Sequence, residues 1–157
     1  MSELFSDKKT GELRILGQRH VAIDVEALCR HLDTCVGAKV AEVIMNNHEN
    51  RKGREDTEEF RRENPQAKVP EIVALLAAED RISGLGITRV NLPAVGSEPV
   101  FVEIENPAVT RTEGAAKALA FSYWAGALSL LFGREFEVAD VTYDQSTNKL
   151  RGRLVPR

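Results

Sequence analysis

The stretch TEGAAKALAFSYWAGALSLLF, residues 112–132, decides how this chain folds. It is almost wholly apolar, and it is bounded by Gly133 and Arg134. Its most apolar part, from Ala118 to Gly133 between Lys117 and Arg134, is shorter than the roughly 20 residues a membrane span requires, and Ser122, Tyr123 and Ser129 interrupt it, so it reads as a buried core helix. Gly114, Ala118, Ser122 and Gly126 recur every fourth residue and share one narrow stripe, which lets another backbone come close. Leu119, Tyr123, Trp124, Leu128, Leu131 and Phe132 lie beside that stripe. Two readings fit them: plain core packing, or the wall of an apolar pocket in which the Tyr hydroxyl and the Trp N–H act as polar anchors.

Short elements flank this helix. Residues 12–23 read as two short strands turning at Gly17-Gln18. Asp24 caps a helix that carries Val25, Leu28, Leu32 and Val36 at helical spacing and ends at Gly37. A second helix starts near Ala38, with Val40, Val43 and Ile44 as its apolar face. The run NNHENRKGREDTEEFRREN, residues 46–64, has balanced charges at i,i+4 spacing, which predicts a solvated helical face that Gly53 divides into two pieces. Pro65 and Pro70 bracket a linker, and a third helical pattern starts at Ile72. Gly84 and Gly86 stop it. Strands over 87–93 and 100–105 follow, with a turn at Ser97-Glu98-Pro99, and Pro107 ends the second. Residues 135–142 and 150–155 form a final hairpin, whose Arg151 and Arg153 suit the outward face of an edge strand. The expected fold class is α+β, a single domain over residues 1–157 with helices packed on a mainly antiparallel sheet.

Three stretches carry a family resemblance: GQRHVAIDVEALCRHLDTCVGAKVAEVIM (17–45), ISGLGITRVNL (82–92) with VFVEIENP (100–107), and FSYWAGALSLLFGREFEVADVTY (121–143). In this order they resemble the vinyl reductase (4-vinyl reductase) domain family, whose fold is shared by haem-nitric-oxide sensor domains and TRAPP vesicle-tethering subunits. The resemblance implies a ligand cavity walled by the helix of residues 112–132, and ligand contacts from Phe121, Tyr123, Trp124, Leu128 and Phe132. It also implies a homodimer. Many members bind zinc through cysteines in the last hairpin. Here residues 138–154 contain neither Cys nor His, and Asp140 alone is no zinc site, so that metal is not carried over.

Other constellations are weaker. Cys29, His31, Asp33 and Cys35 are metal-ligand types, but only His31 and Cys35 share a helical face, so core or surface roles are expected. No P-loop, GxSxG, HExxH or CxxC pattern occurs, and no acid–base–nucleophile set supports catalysis. Neither a cofactor nor a metal is expected. Net charge of −3 and a pI near 5.7 argue against a general nucleic-acid binder. Two cysteines fit a reducing compartment, and the acidic N-terminus carries no secretory signal, so a cytoplasmic protein off the membrane is expected. The function expected is non-enzymatic binding of a small apolar or aromatic ligand, as sensor or carrier. The alternatives are a dimeric scaffold without a ligand, or an accessory protein of tetrapyrrole metabolism.

Overall fold

The computed structural model describes residues 4–7, 12–15, 18–20, 24–93 and 98–157. The expected turn at Gly17, the alternation reaching Ala22 and the turn residue Ser97 lie outside them. Strands β1 (Leu4–Asp7), β2 (Glu12–Ile15) and β3 (Gln18–His20) form an antiparallel sheet in the order β1-β2-β3. The sequence reading assigned two strands here and missed β1: four residues are too few for a period to show, and pairing with β2, Leu4 opposite Ile15, defines it.

Three helices follow. Helix α1 (Val25–Val36) is capped as expected: the Asp24 carboxylate accepts from the Ala27 N–H at 2.9 Å, and Gly37, at φ 86°, ends it. Helix α2 (Ala38–Glu63) runs unbroken for 26 residues, so Gly53 does not divide it. Helix α3 (Val69–Ile82) starts earlier than expected, because Pro70 sits in its first turn, where its missing N–H costs nothing, and does not precede the helix.

Strands β4 (Ile87–Asn91) and β5 (Val100–Glu105) lead into α4 (Gly114–Phe132), and β6 (Phe136–Asp144) and β7 (Lys149–Pro156) close the chain. The four pair antiparallel in the order β4-β5-β7-β6, giving the α+β class expected. Strand β7 is therefore central and not an edge. Its outward arginines answer neighbouring strands: Arg151 bonds Glu103 at 2.8 Å and Arg153 bonds Asp140. The other face buries Val100, Val102 and Ile104 of β5 and Leu150 and Leu154 of β7.

Helix α4 lies between this face and α2. Two thirds of its most apolar window is buried inside the protein, which accounts for a composition otherwise apolar enough to cross a membrane. The small-residue stripe works as its spacing predicts. A Cβ on Gly126 would stand 2.0 Å from the Asn50 carbonyl oxygen, and one on Gly53 would stand 2.0 Å from that of Tyr123. Gly53 thus permits backbone contact between α2 and α4. That close approach makes α2's buried side chains small, Ala41 and Thr57. Val40, Val43 and Ile44, expected to pack inward, stay 51%, 58% and 56% exposed.

Candidate ligand cavity

Asp33 of α1 sets the start of α4. One carboxylate oxygen accepts from the Ala115 N–H at 2.9 Å, and the other bonds Arg111 at 2.6 Å. It serves as a helix cap delivered from another element, the favourable place for a negative charge. Its neighbours in sequence take no part: Cys29 is fully buried, with a thiol pushed up to about 11 by that burial, while His31 Nε2 lies 3.4 Å from the exposed Cys35 Sγ. Among the described residues no three metal-ligating side chains come together.

A cavity of about 180 Å³ opens where α2, α3, β5 and α4 meet. Leu119, Ala120, Tyr123 and Trp124 of α4 form one wall. Ile104 and the following Pro107, Ala108 and Val109 form the second, with Leu85. The third is polar: Glu49, Lys52 and Asp56 of α2, and Glu79, Asp80 and Ser83 at the end of α3. Tyr123 and Trp124 meet edge to face, with centroids 5.8 Å apart.

Asp80 joins these walls. Its Oδ2 accepts from the Trp124 indole N–H at 3.0 Å and from the Thr88 hydroxyl at 2.7 Å. Burial pushes its carboxyl up, and the two hydrogen bonds pull it part of the way back. Burial likewise raises the Glu49 and Glu79 carboxyls. Burial, with the neighbouring Asp56, Asp80 and Glu79 carboxylates, holds the Tyr123 hydroxyl well above the usual phenol value, so it stays neutral. Asp56 also pairs with Lys52. The Trp124 N–H is thus committed to Asp80 and the Lys52 ammonium pairs with Asp56, while the rest of the lining is apolar surface, carboxylates and the hydroxyl-bearing Ser83 and Tyr123.

Of the five side chains expected at the ligand, the structure brings Tyr123 and Trp124 to the cavity. Phe121 lies on the sheet side, where a Cβ on Gly152 would stand 2.5 Å from its ring. Leu128 is fully buried in the core, and Phe132 meets Phe136 at 5.9 Å, both outside the lining. Sequence reasoning missed the carboxylates. One signal was present: Asp80 follows Ile72 and Leu76 at four-residue steps on the buried row of α3, which puts a charge where an apolar residue belongs.

No family model matches the chain, and no curated protein sequence matches it. Among solved structures, it is similar to the phenol-responsive sensory domain of the transcription activator PoxR, solved with phenol. The TM-score is 0.67 at 16% identity, covering 98% of this chain and 84% of that one. An H-NOX domain of T. tengcongensis overlaps more loosely, with TM-score 0.43 at 17% identity over 92% of this chain and 79% of the other. The chain has the fold of the PoxR sensory domain, helices on an antiparallel sheet.

Proposed function

We propose that this protein is a small-molecule sensory domain that holds a ligand about the size of one aromatic ring in the cavity beside Tyr123 and Trp124, and performs no chemistry on it. The observation that carries the reading is the cavity. At about 180 Å³ it is slightly larger than the roughly 150 Å³ apolar void that binds benzene in an engineered protein core. Two apolar walls, aromatic and aliphatic, face a third that carries the polar groups able to orient an occupant, as in a ligand pocket. The likeness to a domain that responds to phenol supports a sensory role. An occupant would touch α2, α3 and α4 together. Occupancy would then favour the arrangement in which all three close on it, and that shift is the signal.

Trp124 is the sole tryptophan, so its fluorescence reports the site without a label. Single-ring probes, phenol, 2-phenylethanol and 2-phenylethylamine, are expected to change its emission saturably and raise the melting temperature. Ala120→Leu fills the void and is expected to weaken the best probe at least tenfold while the fold is retained. No response to any probe, or undiminished affinity in Ala120→Leu, overturns the reading.

A second reading, a dimeric assembly module without a ligand, is favoured by the exposed Val40, Val43 and Ile44. Their spacing suits a seam with the same helix of a second copy. Light scattering on the protein and on Val40→Glu/Val43→Glu tests it: a dimer that becomes a monomer supports the seam, and an unchanged mass removes it.

A further inference from the structure

We infer that the occupant of the cavity is an organic cation, an amine carried on a single ring or an apolar body of that size. This rests on the reading of the cavity as a ligand site and adds the charge of the ligand.

Four carboxylates line the void, Glu49, Asp56, Glu79 and Asp80, against one ammonium, that of Lys52. Lys52 is bonded to Asp56 and also acts on Glu49 and Glu79, so a single ammonium is shared among the carboxylates. Besides that shared ammonium, Glu49 has His48, 3.8 Å away and largely exposed. Asp80 is the most telling. It is 7% exposed, and both of its hydrogen bonds end on Oδ2. No fully buried side-chain oxygen among the described residues lacks a partner, so Oδ1, which has none, keeps some accessible area, and Asp80 lines the cavity. A nearly buried carboxylate with one oxygen unbonded is incompletely compensated, and a cation in the void beside it would complete it.

The rest of the wall suits the same guest. Aromatic rings attract organic cations, and Tyr123 and Trp124 stand beside the carboxylates. A metal ion is a poorer fit, because the carboxylates do not converge: among the described residues no group of three could hold one. An anionic guest meets four carboxylates at low dielectric, against one ammonium that already pairs with Asp56.

The test uses the intact protein and three probes that share a ring and differ in charge: 2-phenylethylamine, 2-phenylethanol and phenylacetate. Calorimetry and Trp124 fluorescence are expected to show the amine binding at least tenfold more tightly than the alcohol, and no binding of the acid. Asp80→Asn keeps an acceptor for Trp124 and Thr88 and removes the charge. It is expected to weaken the amine at least tenfold and leave the alcohol within threefold. Glu49→Gln/Glu79→Gln, at partly exposed positions, is expected to do the same more weakly and serves if Asp80→Asn does not fold. Alcohol binding equal to or tighter than the amine, or amine affinity unmoved by a folded charge-removing variant, overturns the cation and leaves the cavity reading standing. Failure of all three probes overturns both.

Discussion

Two faces of helix α2 lie one residue apart in sequence and behave oppositely. On one, Asn50, Gly53 and Thr57 meet α4 with no gap: Gly53 touches the Tyr123 backbone, and the Thr57 hydroxyl turns back to the Gly53 carbonyl at 2.6 Å. On the other, Glu49, Lys52 and Asp56 border a void against the same helix. The contrast teaches that the void is a consequence of the contact. Glycines bring the two backbones together at Tyr123 and Gly126, while α3 and the end of β5 stand further off and leave a space beside the crossing. A helix that reads in sequence as one solvated face thus carries a seam, a cavity wall and a true solvent face.

The strongest way to break the contrast is to force the seam apart. Gly53→Val and Gly126→Val place carbon against backbone atoms that have no room to yield, and each is expected to cost about 3 kcal/mol or to prevent folding, read by urea unfolding. Next comes the cavity side. Asp80→Ala strands the Trp124 N–H and the Thr88 hydroxyl and should cost about 2 kcal/mol, whereas Asp80→Asn should cost less because an acceptor remains.

A smaller effect separates the cavity from the sheet by pH. Glu49, Glu79 and Asp80 have carboxyls raised by burial, so their contribution to stability is full below the ordinary carboxylate range and is lost as pH rises through their folded values. Glu103 behaves oppositely. Its hydrogen bonds to Lys149 and Arg151 lower its carboxyl from 4.5 to about 2, so its contribution is present above 4.5 and is lost as pH falls through about 2. Glu79→Gln is expected to raise the urea midpoint near neutrality and leave it unchanged in acid; a rise at every pH would assign the effect to something other than charge. The smallest effect belongs to the solvent face, where Arg51→Ala removes an exposed pair with Glu55 and should move stability by less than about 0.5 kcal/mol.

Much of the fold was legible in the residues. Asp24 and Gly37 marked α1, the alternation of Val100, Val102 and Ile104 marked the buried face of β5, and the four-residue stripe marked α4 as a helix that another backbone approaches. The site was half legible. Tyr123 and Trp124 line the candidate cavity and were expected on a pocket wall because they bring an OH and an N–H to an apolar core helix. Phe121, Leu128 and Phe132 were placed with them because side chains along one helix look equivalent until neighbours are known. Here the sheet takes Phe121, through the space Gly152 leaves, and Phe136 meets Phe132. The carboxylates of α2 and α3 went unread because charges at i,i+4 spacing describe a solvated face equally well whether the next element covers it or not.

By itself the sequence determined the period and ends of most helices and strands, the α+β class, and the requirement that something pack closely on the stripe of α4. These are local matters, decided within a few residues by caps, glycines and hydrophobic spacing. Only the tertiary structure decided that Gly53 joins helices and does not break one, that β7 is central, and that Asp80 and Trp124, separated by 44 positions, share a hydrogen bond on the wall of a cavity. A void has no sequence of its own. It exists only where several elements, each packed against another neighbour, fail to meet.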